Sequence, residues 1–228
     1  MTQIWNHLLF AHWPIAPEVL RPLIPPVLPL DLFDGQCWVG ITPFYMTHVC
    51  PRGLPPLPYL SQSGEINVRT YVIVENIPGV YFFSLDANNP LAAQLARMIF
   101  HLPYFTACIR IQRKDGSFHY SSQRIPSQAA SAAFCARYRP ISSVYQAQRG
   151  TLDYWCIERY CLYTVVGQKK VFRAHIHHKP WPIQRAEAEI TDKSLASADG
   201  FHLPDTPPLL HYANKQEVLV WPLRCVSQ

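Results

Sequence analysis

The chain has 228 residues, of which 49% are hydrophobic and 15% charged, with a net charge of +5. This composition describes a globular protein with a sizeable core and excludes a disordered or low-complexity chain. Basic residues are scattered, without Lys/Arg runs or interleaved stacking aromatics, so no nucleic-acid partner is expected.

The N-terminal stretch "MTQIWNHLLFAHWP" lacks a basic segment followed by a long apolar one, so no signal peptide is expected. No run of roughly 18 apolar residues occurs, so no membrane span is expected either. Seven cysteines without a C-x-x-C pair fit the reduced thiols of a cytoplasmic protein better than a disulfide framework or a structural zinc site. Twenty-two prolines argue against long helices.

In chain order, a strand over Gln36–Phe44 follows the turn Asp34-Gly35. "PRGLPPLPYLSQSG" (51–64) reads as an ordered, irregular loop of the kind that covers sites. Strands 65–75 and 80–87 form a hairpin turned at Pro78-Gly79. A helix over about 89–102 starts with Asn89 as cap and Pro90 in its first turn. Leu91, Leu95, Met98 and Leu102 give it an apolar stripe, with Arg97 and His101 off that stripe, and Pro103 ends it. Asp115-Gly116 marks a second hairpin and Gly167-Gln168 a third. A short helix over about 151–158 lies between them, and strands at Trp181–Ile190 and Glu217–Trp221 complete the set. The fold class is α+β, mostly β, an antiparallel barrel or sandwich in one domain, 1–228.

"GEINVRTYVIV" (64–74) is the unusual strand. One face carries Ile66, Val68, Thr70 and Val72; the other carries Glu65, Asn67, Arg69 and Tyr71. The second face reads either as surface charge or as the wall of a ligand-holding barrel, where Arg69 would grip a carboxylate and Glu65 could act as acid or base. His175 and His177 share a strand face at metal-site spacing, but without further ligands nearby no metal is expected. Asp86 reads as loop and capping chemistry. Dinucleotide, P-loop and G-x-S-x-G signatures are absent.

"LFAHWPIAPEVLRPLIP", "FDGQCWVGITPF", "RGLPPLP", "GEINVRTYV", "GVYFFSLDA", "AR" before "LPYF", "ERYCLYT" and "HKPWPIQ" resemble, in order and spacing, the YqjF-like bacterial family. The resemblance runs from about residue 5 to residue 221, and that family is grouped with the acetoacetate decarboxylase-like superfamily. It implies an antiparallel β-barrel or cone around a central cavity, with the polar face of 65–71 turned inward. The superfamily's decarboxylases use a Schiff-base lysine in a Pro-Lys-Lys motif. Here Pro103 matches the proline, and Tyr104 and Phe105 stand where the lysines should be. The resemblance therefore implies no Schiff-base decarboxylase.

The expected function is binding of a small organic molecule, a carboxylate or keto compound, without a cofactor. Asn67, Arg69, Tyr71, Trp38, Phe83 and His177 would bind it. The alternative is a metal-free lyase, isomerase or hydrolase. Glu65 would be its general acid or base, Arg69 and Arg97 its oxyanion stabilisers and Tyr104 its proton donor. Oligomeric state stays open.

Overall fold

The computed structural model describes residues 1–50, 61–125, 132–167 and 169–227; most of the predicted covering loop (51–60) and Gln168 lie outside them. The strands are β1 (Thr2–Ile15), β2 (Cys37–Cys50), β3 (Ser63–Val74), β4 (Ile77–Ala87), β5 (Tyr104–Lys114), β6 (Ser117–Arg124), β7 (Ala133–Pro140), β8 (Cys161–Val166), β9 (Lys170–His177), β10 (Ile183–Asp192), β11 (Leu209–Val220) and β12 (Arg224–Ser227). The helices are α1 (Pro17–Leu20), α2 (Pro90–Phe100), α3 (Leu152–Ile157) and α4 (Leu195–Ala198). The fold is mostly β, as the sequence implies.

The strands run in the order β12-β9-β8-β4-β3-β2-β1-β11-β10-β7-β6-β5, and the sheet closes on itself twice. Pairing of β4 with β5 closes one ring, and pairing of β9 with β11 closes a smaller one. Strands β4, β3, β2, β1 and β11 belong to both. This double closure removes free edges along the shared strands and leaves β3 with two interior faces.

The two faces of β3 carry different chemistry. Ile66, Val68 and Val72 pack in the larger ring with Leu9, Ala11, Val39, Ile41, Phe118, Tyr120 and Phe134. Tyr71 packs in the smaller ring with Val80, Phe82, Leu162, Ala174, Ile176 and Val218. Residues 63–72 are all buried.

The sequence reading does not assign β1 or β7, and two further details differ from it. The β3–β4 hairpin turns at Glu75 and Asn76, both at positive φ, three residues before the expected Pro78-Gly79. In α2, Asn89 does accept from the Ala92 N–H at 3.0 Å, but the apolar stripe faces outward except for Leu102, which lies past the end of the helix and is buried. Leu91, Leu95 and Met98 are exposed, while Ala93 and Phe100 make the inward contact. The helix meets the sheet through a small residue in its first turn, Ala93, and through Phe100 in its last.

Candidate functional site

The interior face of the smaller ring can be read row by row across four strands. His211 of β11 lies opposite Phe10 of β1, and Thr42 of β2 lies opposite Asn67 of β3. In the next row His12 of β1 faces Gly40 of β2, which faces Arg69 of β3. Trp38 and Tyr71 follow one step further along β2 and β3. Gly40 is the opening that lets its neighbours meet: a Cβ there would lie 3.0 Å from the His12 ring and 3.5 Å from Arg69 Cγ. An isolated glycine inside a strand marks such close approach.

Buried polar atoms ordinarily find partners. Seven atoms of this patch have none among the described residues: Arg69 Nε and Nη2, Trp38 Nε1, Asn67 Oδ1, Thr42 Oγ1, and the Nδ1 atoms of His12 and His211. Their concentration on four adjacent strands sets the patch apart from the core around it.

Arg69 carries the local charge. Of the buried arginines 69, 124 and 159, Arg124 holds Asp86 through Nε and Nη2 at 2.8–3.1 Å and Arg159 holds Asp31 at 2.5 Å. Among the described residues Arg69 has no carboxylate. Its guanidinium lies 5.4 Å from the Phe10 ring centroid and 6.0 Å from that of Tyr71, contacts that soften desolvation without neutralising the charge.

Beside it, Tyr71 donates its hydroxyl proton to the Cys156 carbonyl at 2.9 Å and lies 2.7 Å from His12 Nε2. Burial and the charge of Arg69 hold the His12 pKa well below 6.5, with His211 and Arg159 adding to the effect. On the far side of the patch His211 Nε2 lies 3.3 Å from Asp153 Oδ2.

Glu65 forms the other end of the β3 row. The Tyr104 hydroxyl donates to Glu65 Oε2 at 3.0 Å, and the Tyr120 hydroxyl fixes the backbone by donating to the Glu65 carbonyl at 2.8 Å. Burial pushes the Glu65 carboxyl up to about 8, against the Tyr104 hydrogen bond and assisted by the negative charge of Asp86. Burial and Glu65 together raise Tyr104 well above 10. At neutral pH Glu65 is therefore largely a carboxylic acid, able to donate a proton.

The structure gathers Glu65, Asn67, Arg69, Tyr71, Trp38 and Tyr104 on one interior face, and it sets three expected site residues elsewhere. Arg97 is exposed on α2 and only its Nη1 reaches inward, 3.4 Å from the Tyr104 carbonyl oxygen. His177 is exposed, together with His175, because β9 turns Ala174 and Ile176 inward. Phe83 is the extra residue of a β-bulge between the pairs Val68/Ser84 and Arg69/Phe82. It packs on Phe201 at 5.0 Å, away from Arg69, and lines a surface pocket of about 270 Å³ with Tyr81, Leu102 and Tyr163.

Asp86 also differs from expectation. It is a buried ion-pair partner of Arg124 rather than a cap. Sequence reading missed His12, Thr42, His211 and the Arg159–Asp31 pair. The alternation Leu8, Phe10, His12 and the lone Gly40 are the signals that could have found the first. All six lysines lie outside the buried set.

Comparison with known proteins adds the lineage. The model of the DUF2071 family, an uncharacterized conserved protein, matches residues 2–217. The uncharacterized protein YqjF of Bacillus subtilis (strain 168) is 48% identical over 224 residues, covering 98% of this chain and 91% of YqjF. Among solved structures, the enduracididine biosynthesis enzyme MppR, complexed with the condensation product of pyruvate and imidazole 4-carboxaldehyde, superposes with a TM-score of 0.69. It is 13% identical, and the match covers 99% of this chain and 89% of that one. An acetoacetate decarboxylase-like enzyme from Sphingomonas wittichii RW1 gives 0.64 at 11% identity, covering 100% and 93%. At such identities the likeness shows a shared fold, here the acetoacetate decarboxylase-like one.

Proposed function

This chain belongs to the DUF2071 family, and on that premise we propose that it binds a small organic anion, a carboxylate or keto compound, inside the smaller ring, with Arg69 as the anchor. The observation that carries the reading is a buried guanidinium that has no carboxylate among the described residues, in a protein whose other buried arginines there, Arg124 and Arg159, are paired. A desolvated permanent cation is costly, and a bound carboxylate would supply the missing partner through Nε and Nη2, the nitrogens without a partner among the described residues. Trp38, Asn67 and Tyr71 line the same face. The whole of 1–228 acts in this reading as one acetoacetate decarboxylase-like domain. Titration calorimetry of the wild type and Arg69→Met with short-chain carboxylates tests it. Binding by the wild type alone supports the anchor, and indifference to the substitution overturns it.

A second reading rests on Glu65. A buried carboxylic acid hydrogen-bonded to Tyr104 is equipped for proton transfer to or from a bound acyl or keto compound, with Arg69 stabilising the oxyanion. Lyase, isomerase and hydrolase chemistry use that step alike. This reading does without Schiff-base chemistry: the family resemblance sets Tyr104 and Phe105 at the expected lysine positions, and the six lysines lie outside the buried set. Hydrogen–deuterium exchange into the α-position of a bound keto acid, lost in Glu65→Gln, is the expected sign of catalysis.

A further inference from the structure

The anchor reading says which end of the ligand Arg69 holds; the histidines say what the rest of it must offer. Tyr71 has one hydroxyl proton, and it goes to the Cys156 carbonyl, which can only accept. The 2.7 Å contact with His12 Nε2 therefore requires the imidazole to donate. In a neutral ring that fixes the proton on Nε2 and leaves Nδ1 as a bare lone pair. His211 reaches the same state by another route. Its Nε2 faces the Asp153 carboxylate at 3.3 Å, which accepts, so Nδ1 is again the unprotonated atom. Burial depresses both imidazole pKa values, in keeping with neutral rings.

Orientation follows from Gly40. The Cδ2–Nε2 edge of His12 lies against it, so the opposite edge, bearing Nδ1, is turned away from β2. On the other side of β1, His211 projects from the same face, opposite Phe10. Both Nδ1 atoms are buried and lack a hydrogen-bond donor among the described residues. One side of the patch thus offers N–H groups from Arg69 and Trp38, and the other offers lone pairs that require donors.

We infer that the ligand is a hydroxycarboxylate, its carboxylate on Arg69 and Trp38 Nε1 and a hydroxyl donating to His12 Nδ1 or His211 Nδ1. The inference rests on the anchor reading and narrows it. A simple oxo acid presents only acceptors, so it would set carbonyl lone pairs against imidazole lone pairs. A site built to accept from a hydroxyl discriminates strongly against a ligand without one.

The test compares acids matched in carbon skeleton: 3-hydroxybutyrate, acetoacetate and butyrate, then mandelate, phenylglyoxylate and phenylacetate. Dissociation constants are measured by calorimetry on the full chain and on Arg69→Met and His211→Phe. In at least one set the hydroxy acid should bind about tenfold or more tightly than its oxo and deoxy counterparts. His211→Phe should shrink that advantage, and Arg69→Met should abolish binding of all members. Nitrogen-15 NMR of the imidazoles gives a readout on the unmutated protein: the hydroxy acid should shift a His12 or His211 Nδ1 resonance, and the oxo acid should not. Equal, Arg69-dependent binding of hydroxy and oxo acids overturns the hydroxyl inference and leaves the anchor standing. If no acid binds in an Arg69-dependent way, both fall.

Discussion

His12 and Tyr71, on strands separated by β2, meet at 2.7 Å, and Tyr71 passes the connection on to the Cys156 carbonyl at the end of α3. One phenol thereby holds the tautomer of a buried imidazole. Removing the hydroxyl in Tyr71→Phe should cost about 1–3 kcal/mol, because a buried donor and a buried acceptor both lose their partner. Urea unfolding measures the loss. The same variant should lose the single Nε2–H tautomer of His12 seen by nitrogen-15 NMR. A preserved tautomer would mean that something other than Tyr71 sets it.

The raised pKa of Glu65 makes a signed prediction. A carboxyl that moves from its ordinary value near 4.5 to about 8 on folding holds its proton more tightly in the native state. Its contribution to stability is full below pH 4.5, declines as pH rises towards 8, and is lost above that. Glu65→Gln keeps the shape and removes the titration. The urea midpoint of the variant minus that of the wild type should therefore grow from pH 5 to pH 8 and level off beyond. A constant difference over that range would mean that Glu65 ionises normally.

Buried arginines with and without carboxylates should respond oppositely. Asp86→Ala takes from Arg124 its hydrogen-bonded carboxylate and leaves it Asp199 at 3.9 Å and the Phe105 ring, also at 3.9 Å, and should cost about 3 kcal/mol. Arg69→Met removes a charge that has no carboxylate among the described residues and should leave stability unchanged or raise it by about 1 kcal/mol or more. Guanidinium chloride unfolding of the two variants decides. A large loss in Arg69→Met would show that the guanidinium is satisfied within the fold and is not held for a ligand.

Gly40→Ala places a methyl group 3.0 Å from the His12 ring, against a strand on each side. The ring has to move, which should destabilise the fold by about 1–3 kcal/mol. It should also weaken carboxylate binding, because Arg69 Cγ is the next atom in line. Calorimetry and thermal unfolding of this variant together check the row His12–Gly40–Arg69.

Much of this arrangement is legible in the sequence. Period-two alternation exposes the polar row of β3, and the dipeptide Asp115-Gly116 gives its hairpin outright. Features set by neighbouring elements are not legible. The bulge that displaces Phe83 depends on the pairing of β4 with β3. The inward face of β9 depends on where the smaller ring closes, so His177 could be assigned to either side. Helix α2 shows an apolar stripe that its packing ignores, since Ala93 brings the helix onto the sheet and turns Leu95, Met98 and Arg97 outward. His12 sits in β1, a strand that the sequence reading does not assign, and its cross-strand neighbour Gly40 signals that space is reserved there.

Strand β3 has no side facing water, and its pleat is one residue thick. Val68 supports the larger ring's core while Asn67 and Arg69, its chain neighbours, hold the polar row of the smaller one. A substitution that lets Val68 settle by a fraction of an ångström carries both of them with it, although it touches no group of the site. On the proposed reading, ligand preference and fold integrity draw on the same strand, and single changes in β3 should disturb both together. If the polar row holds a ligand as proposed, altered specificity in such a wall should come through back-to-back pairs of changes, one in each ring, the second restoring the position that the first displaced.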